Sequence, residues 1–437
     1  MKKPVISYSA MSDFRCLGDK CEDSCCRSWD ISFDKKHFDL LKAKIINEGK
    51  DPTVFANDFV VANELEEKNF AQVIFDEAGD CPFLEKCGLC KIHSEYGVDV
   101  LSDVCTFFPR VFVQYSDRLE MSGSLSCPEL VRKSMFSDEN FELKPIDVSL
   151  LPRANDFPIS VDLVDENENH YVERFADVRE AMFDIMAYDE VSFEARLFSL
   201  STMANTISSY YYSGCQAMQT RQLDTDLRSY SSNLKLTHTK IMLDQYIPHD
   251  PMAIIVVQAV LRLRLQRFPN ENFSQLIQAC FDYYNDKLVD IPTLPDGNFP
   301  PEALMNLYQI EAKKLSERYP DLLDKIFTRY VQNNLFRELY TSMPNLFMYI
   351  HMLTVRVAML KFVIVSHPGI INILASDKPE QEQKTLIEEK IVEVIYQFSR
   401  SVDHNKSFLE IVFYAITEQQ MMHFDYSLPF IKLQENS

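Results

Sequence analysis

The chain has 437 residues, of which 46% are hydrophobic and 25% charged, the composition of a folded globular protein with room for two or three domains. Only nine residues are glycine, so nucleotide-binding α/β sheets with glycine-rich loops are disfavoured and a mainly helical fold is favoured. The net charge is −21, and both the segment 1–130 and the remainder are acidic, which argues against nucleic acids and anionic membranes as partners.

The N-terminal segment, residues 1–135, is predicted to form a small, irregular α+β module. A helix is predicted over residues 34–48, because Asp34 is a suitable N-cap and apolar residues recur on one face. Short strands are predicted at residues 70–75 and 110–115, which are rich in β-branched and aromatic residues. A core this small needs additional stabilisation, which a metal site would supply.

Residues 136–169 contain three prolines and an acidic run, and they predict a linker. From residue 170 to 437 the apolar pattern is helical, so we expect a large helical domain, not a Rossmann fold, with the N-terminal module packed on it. The predicted helices span residues 170–187, 190–213, 251–267, 271–287, 302–318, 320–341, 345–365, 380–402 and 406–421. The proline-rich loop at residues 287–302 is a candidate point of subdivision.

The sequence predicts a cytoplasmic protein. Its N-terminus, residues 1–15, lacks the apolar core of a signal peptide. The most apolar stretch, residues 346–365, contains His351, Arg356 and Lys361, and charges at mid-span are costly in a bilayer. We therefore expect this stretch to be a buried core helix rather than a membrane span.

Cysteine is the most informative residue type, because nine of the 11 cysteines lie between Cys16 and Cys127. The spacing is Cys16-x4-Cys21-x3-Cys25-Cys26, then Cys81-x5-Cys87-x2-Cys90, then Cys105 and Cys127. Without an export signal, this clustering indicates metal or redox chemistry rather than disulfides. Converging thiolates suit zinc or an iron–sulfur cluster, and the spacing leaves both open. Cys215 and Cys280 lie in helical patterns and are interpreted as core cysteines.

The segments around these cysteines resemble motifs of the bacterial flagellin lysine-N-methylases. They are FRCLGDKCEDSCCRSW at residues 14–29, CPFL at 81–84, GLCKIH at 88–93, LSDVCTFFPR at 101–110 and CPE at 127–129. Weaker similarity occurs in YVQNNLF at residues 330–336 and FSRSVDHN at 398–405. The first motif is partly shared with small zinc- or iron-chelating domains, so the later segments favour the methylase. Cys87 is extra to the family pattern.

The resemblance implies transfer of methyl groups from S-adenosylmethionine to lysine side chains of flagellin. It also implies an iron–sulfur cluster, expected to be 4Fe–4S, with zinc as the alternative. The metal ligands carried over from the motifs are Cys16, Cys21, Cys25, Cys26, Cys81, Cys90, Cys105 and Cys127. One cluster would use four of them, and eight could hold two sites. Two other interpretations stay open: a non-catalytic, metal-stabilised protein-binding module and a redox sensor.

The sequence identifies no catalytic residues. The candidates for binding an acidic group of cofactor or substrate are Arg400 and His404, four residues apart on one helix face, and Arg110, which follows Pro109. Alternatively, Arg400 and His404 make a polar contact between helices and Arg110 orients a cysteine loop. Methyl transfer requires a deprotonated lysine, whose pKa in water is about 10.4. We therefore expect a site that desolvates the amine or supplies a base.

Overall fold

The computed structural model of this chain divides into two compact units. The first unit consists of Met1–Lys133 and Glu142–Val164, and the second of Ser134–Phe141 and Asp165–Ser437. The described residues are 4–27, 31–50, 57–61, 67–77, 79–115, 118–149, 151–154, 156–163, 174–211, 216–246, 251–295 and 299–433. Features named above that lie outside these ranges include the end of the first motif at residues 28–29, Cys215, residues 164–173, residues 212–213 and residues 296–298.

Two small β-sheets form much of the first unit. The larger sheet contains β1 (Val5–Ser7), β5 (Arg110–Tyr115), β6 (Arg118–Gly123), β7 (Lys144–Ile146) and β8 (Ile159–Leu163). Its order is β7-β1-β6-β5-β8, with parallel pairing of β1 with β6 and of β5 with β8. The predicted strand at residues 110–115 is confirmed, and it pairs antiparallel with β6. The smaller sheet contains β2 (Ser32–Phe33), β3 (Phe59–Val61) and the central strand β4 (Ala71–Val73).

The segment predicted as a linker supplies β7 and β8, the two outer strands of the larger sheet. Pro145 of β7 pairs with Ile6 at the sheet edge, where the missing N–H of proline is tolerated. Strand β7 contains Pro145 and β8 directly follows Pro158, so both segments have the composition of a loop and the sequence did not reveal the strands. The predicted domain boundaries otherwise stay a prediction.

The helices of the first unit are short. They are α1 (Ser9–Ser12), α2 (Lys35–Asn47), α3 (Lys91–Tyr96), α4 (Asp103–Phe107) and α5 (Pro128–Phe136), which continues into the second unit. The predicted helix at residues 34–48 is confirmed, and the Asp34 side chain caps it by accepting from the His37 N–H at 3.0 Å. Aromatic rings pack under the smaller sheet, with the ring centroids of Phe33 and Phe59 5.2 Å apart.

The second unit is formed by helices. They are α6 (Phe175–Ala187), α7 (Phe193–Tyr211), α8 (Gln216–Tyr230), α9 (Asn233–Asp244), α10 (Met252–Arg267), α11 (Glu271–Lys287), α12 (Pro301–Arg318), α13 (Pro320–Arg337), α14 (Leu346–Ser366), α15 (Pro368–Leu374), α16 (Glu380–Phe398), α17 (Lys406–Glu418) and α18 (Ser427–Ile431). All nine predicted helices are present, whereas α8, α9, α15 and α18 were not predicted. The mainly helical fold is confirmed, and the described ranges contain no Rossmann-type sheet.

Helix α14 forms the centre of the second unit. Within the described ranges it alone is long and apolar enough to cross a membrane, and nearly all of it is buried inside this unit. The prediction of a core helix is therefore confirmed. Its polar side chains have partners: His351 Nδ1 lies 3.0 Å from Ser427 Oγ, Lys361 pairs with Glu194, and Arg356 joins the ionic network described below.

Candidate metal centre and buried ionic network

Four cysteines from four segments converge at the aromatic core of the first unit. Cys81 is buried in this core, and Cys26, Cys90 and Cys105 pack against it. The backbone N–H of Cys81 donates to the carbonyl of Cys26 at 3.0 Å, which joins two segments that are distant in the sequence. Cys90 precedes α3, and Cys105 lies in α4, where its N–H donates to the capping hydroxyl of Ser102 at 3.3 Å. We call these four cysteines the core thiol group.

The thiols of the core group lie close enough to affect one another's ionisation. Burial raises the pKa of Cys81 and of Cys105 to about 12, and the other thiols add to the effect. For Cys105 these neighbours are Cys26, Cys90 and Cys81. Cys81 and Cys105 therefore stay protonated near neutral pH unless a cation offsets the repulsion, and binding a metal would release their protons.

Backbone N–H groups face several of the sulfurs. The N–H of Phe83 lowers the pKa of Cys81, and those of His93 and Ile92 lower the pKa of Cys90, although burial outweighs them. Such N–H groups stabilise thiolates and tune iron–sulfur clusters. The loops after these two cysteines therefore suit metal-bound sulfur.

Four candidate ligands remain. Three of them, Cys16, Cys21 and Cys127, interact electrostatically with one another and form a second thiol group. The N–H groups of Leu130 and Glu129, at the start of α5, lower the pKa of Cys127 against the larger effect of burial. In the second thiol group, as in the core thiol group, backbone N–H groups therefore donate to a cysteine sulfur.

Cys25 lies between the two groups. Its thiol hydrogen-bonds with that of Cys26, which raises the pKa of Cys25 and lowers that of Cys26 to about 7. Cys25 also interacts with Cys105 and with Cys16, one member of each group. Cys25 thus interacts with both groups, whereas Cys26 belongs to the core thiol group.

Arg110 lies beside the second thiol group. Burial lowers the pKa of its guanidinium, whereas Cys16 and Cys127 raise it. The guanidinium stacks on the Phe14 ring at 5.1 Å and donates from Nη2 to the Phe14 carbonyl at 3.4 Å. Its buried Nε donates to no described residue. A half-buried cation with an unused donor beside thiols fits a centre that carries negative charge. Its role at such a centre stays a prediction.

The spacing of the thiols bears on which metal fits. Among the described residues, no three cysteine sulfurs lie within 4.8 Å of one another. Four thiolates on a tetrahedral zinc ion lie about 3.8 Å apart, given a Zn–S bond of about 2.3 Å. A cluster holds its thiolates further apart, because iron and sulfide atoms lie between them. The choice between a zinc ion and a cluster stays a prediction.

The part of the chain described here has one set of three possible ligands within 4.8 Å, Asp34, His37 and Asp103. A guanidinium already neutralises this set: Arg153 Nη2 lies 2.8 Å from Asp103, and Arg153 also contacts the His37 ring. The second carboxylate, Asp34 Oδ2, lies 2.5 Å from His37 Nδ1. We interpret the set as an ion-pair network, because an additional cation would meet the arginine.

In the second unit, a buried ionic network joins the two later motif segments. Tyr330 of α13 donates to Asp403 Oδ1 at 2.8 Å. Arg356 of α14 donates to both carboxylate oxygens of Glu338, at 2.8 and 2.7 Å, and its Nη1 lies 3.3 Å from Asp403 Oδ1. Asp403 ends a π-helical turn, Ser399–Asp403, that follows α16. Turns of this kind are frequent at functional sites.

The network holds charges that burial alone would neutralise. Burial raises the pKa of Asp403 despite Arg356 beside it. For Glu338, Arg356 outweighs burial and the pKa is lowered. The Asp403 Oδ2 atom is buried and accepts no hydrogen bond from the described residues. Glu338 and Arg356 are thus an ionised pair, and Asp403 is the less satisfied member.

The candidates Arg400 and His404 lie at this π-helical turn. Burial, followed by the charge of Arg337, lowers the pKa of His404 to about 3, so its ring is neutral at physiological pH. The ring Nε2 lies 3.4 Å from Arg337 Nη1, and the Arg400 guanidinium stacks on the Tyr396 ring at 5.7 Å. A role of this pair in cofactor binding stays a prediction.

Sequence reasoning missed Glu338, Asp403 and Tyr330 as members of a site. One feature of the sequence did indicate a buried ion pair: the charged residue Arg356 lies within the most apolar stretch of the chain. A charge in such a helix requires a buried partner. The sequence does not show which acid supplies it, since Glu338 lies 18 residues away and Asp403 lies 47 residues away.

Comparison with known proteins identifies relatives. Residues 179–429 match the family model of the FliB lysine N-methylase C-terminal domain. The lysine-N-methylase of Salmonella typhimurium strain LT2 is 30% identical over 137 residues, which cover 30% of this chain and 33% of the relative. The lysine-N-methylase of Salmonella choleraesuis is 28% identical over 135 residues, with the same coverage.

The flagellar biosynthetic protein FliU of Salmonella muenchen is 30% identical over 137 residues, which cover 30% of this chain and 78% of the relative. The chain thus spans about a third of the length of the two lysine-N-methylases and most of FliU. No solved structure matches this chain.

Proposed function

Because this chain belongs to the FliB lysine N-methylase family, we propose that it transfers methyl groups from S-adenosylmethionine to lysine side chains of flagellin in the cytoplasm. The observation that carries the proposal is the family match over residues 179–429, which includes most of the second unit. The names of the relatives agree with it: two are lysine-N-methylases and one is a flagellar biosynthetic protein.

The proposal includes a 4Fe–4S cluster in the first unit, with the core thiol group as its ligands. Two observations support metal binding by this group: the four thiols converge, and N–H groups face the sulfurs of Cys81 and Cys90. The second thiol group, with Cys25, could provide four further ligands for a second centre. The cluster would stabilise a unit whose secondary-structure elements are short.

The proposed reaction needs no electron transfer from the cluster. The lysine amine attacks the methyl group of a sulfonium in line, so the protein must bind the lysine, remove its proton and exclude water. The acidic charge of the chain favours a cationic substrate. The ionic network around Arg356 would hold the two later motif segments in a fixed arrangement.

The test uses the full chain purified without oxygen. Flagellin is incubated with the protein and S-adenosylmethionine, and intact-mass spectrometry counts the methyl groups gained. The control is flagellin whose lysines have been acetylated. We expect methyl-sized mass gains on untreated flagellin alone. Metal-loaded protein that binds flagellin without transferring methyl groups would contradict the proposal and favour the non-catalytic binding module.

The metal content of the same protein tests the cluster. We expect about four iron and four sulfide per chain for one cluster, and about eight of each if both thiol groups are filled. Stoichiometric zinc without sulfide would overturn the cluster assignment and leave the methylase proposal standing.

A further inference from the structure

Arg153 lies on the returning segment, residues 142–164, where the chain comes back to the first unit. Its backbone φ is +49°, in the left-handed region that residues with a side chain rarely adopt. Its side chain is only 9% exposed. A backbone conformation of this kind persists where the surrounding contacts hold it, so we expect the contacts of this side chain to be specific.

The Arg153 guanidinium contacts both ends of helix α4. Its Nη2 lies 2.8 Å from Oδ1 of Asp103, the first residue of the helix. It also stacks on the ring of Phe107, the last residue, at 4.9 Å. Residues four apart lie on one face of a helix, and the residue midway between them lies on the opposite side. The arginine therefore contacts the face of α4 opposite to Cys105, the thiol that α4 supplies to the core thiol group.

The same guanidinium is anchored to α2, the longest of the described helices in the first unit. Nη1 of Arg153 donates to Nε2 of His37. The His37 ring is buried, and its Nδ1 lies 2.5 Å from Oδ2 of Asp34, the N-cap of α2. Since α4 has only five residues, its own hydrogen bonds cannot keep it in place. Arg153 thus links this short helix to one of 13 residues.

We propose that Arg153 is a positioning residue for the metal centre, because it holds α4 so that the Cys105 thiol faces the other core thiols. This inference rests on the proposed function, since it concerns a ligand of the proposed centre. A guanidinium suits the role, because one planar group can pair with a carboxylate and stack on an aromatic ring at the same time. Without these contacts, α4 shifts and Cys105 leaves the core thiol group more readily.

Two measurements on the full chain, purified without oxygen and with its metal in place, test this role. The first is the rate at which a chelator removes the metal. The second is the rate at which iodoacetamide alkylates each cysteine, followed by peptide mass spectrometry. We expect Arg153→Met to raise the rate of metal loss and the alkylation rate of Cys105 about tenfold or more, because contacts of a charged group are lost. Alkylation of Cys81 should change less than about twofold, because the opening is local to α4.

Two further variants separate this effect from misfolding or from net charge. Asp103→Asn breaks the same ion pair from the α4 side with little change of shape, and it should have the same selective effect on Cys105. Lys36→Met is the matched control, because Lys36 Nζ and Asp156 Oδ2, 2.7 Å apart, also join α2 to the returning segment. These two side chains are 63% and 64% exposed, so both rates should change less than about twofold in this control.

The outcomes distinguish this inference from the proposed function. If Arg153→Met and Asp103→Asn both keep the wild-type rates of metal loss and Cys105 alkylation, the inference is overturned, whether or not the protein methylates flagellin. Equal increases at Cys81 and Cys105 would also overturn it, because a general loss of stability exposes every thiol. If the purified protein contains no metal but the variants expose Cys105 selectively, the proposed centre falls and the placement of α4 by Arg153 stands.

Discussion

The two units achieve their structure in different ways. In the first, short strands and short helices surround thiols that repel one another when ionised. In the second, long helices surround α14, and its buried charges all pair within the protein. We therefore expect the first unit to depend on the proposed metal, whereas the central helix of the second unit is held by charge pairs of the protein's own side chains. The four predictions that follow test this difference.

Replacement of a core thiol should have the largest effect. Cys81→Ser should remove the metal of the core thiol group and unfold much of the first unit, because the short elements around it cannot compensate. Hydrogen exchange should show this loss in β2–β4 and leave α14 protected. The matched control is Cys87→Ser, since Cys87 is exposed and its sulfur lies 3.8 Å from the Glu85 carboxylate. If the Cys81→Ser variant keeps its metal and the hydrogen-exchange protection of β2–β4, the first unit does not depend on the metal of the core thiol group.

Breaking the ionic network should destabilise the second unit by about 3–5 kcal/mol. Arg356→Met leaves the buried carboxylate of Glu338 without its bidentate partner. The unfolding free energy of this unit is measured by urea denaturation. The double variant with Glu338→Leu should recover much of the loss, because it removes both charges. Lys240→Met, in an exposed pair with Asp244, is the control and should cost under about 1 kcal/mol.

Acid should weaken the second unit through its buried histidines. Burial lowers the pKa of His351 to about 4 and that of His404 to about 3. Below a pH of about 6.5, the unfolded chain binds protons that the folded chain excludes, so stability present at pH 7 is lost as the pH falls. The expected loss between pH 7 and pH 5 is about 2 kcal/mol for each histidine. His351→Asn should reduce this slope in urea denaturation, and the exposed control His423→Asn should not.

The smallest effect is expected from two helix caps, one in each unit. Ser102→Ala removes the cap of α4, and Asn405→Ala removes the cap of α17, each at about 1 kcal/mol. The Ser102 effect should be small while metal is bound and should appear in urea denaturation after anaerobic chelation, because α4 carries Cys105. The Asn405 effect should be the same before and after chelation. If the Ser102→Ala variant, like the Asn405→Ala variant, loses the same unfolding free energy before and after chelation, the first unit does not depend on metal.

The sequence predicted the features that depend on local pattern. The cysteines were found because they are rare elsewhere, and α2 was found because Asp34 and the apolar face of the helix lie in one short segment. Helices α8 and α9 were missed because α8 is polar and α9 exposes Leu234 and Met242, so neither shows a clear buried face. The environment of Arg153 was not predictable, because it requires His37, 116 residues away, to lie beside it.

The course of the chain between the units limits how the protein can be divided. Residues 134–141 belong to the second unit, and the chain then returns to complete the larger sheet with β7 and β8. A fragment that ends at residue 135 would retain β1 and β5 with their outer edges open. Open edges recruit strands from other molecules. The isolated N-terminal part should therefore self-associate, and a truncation near residue 164 is the shortest that keeps the sheet whole.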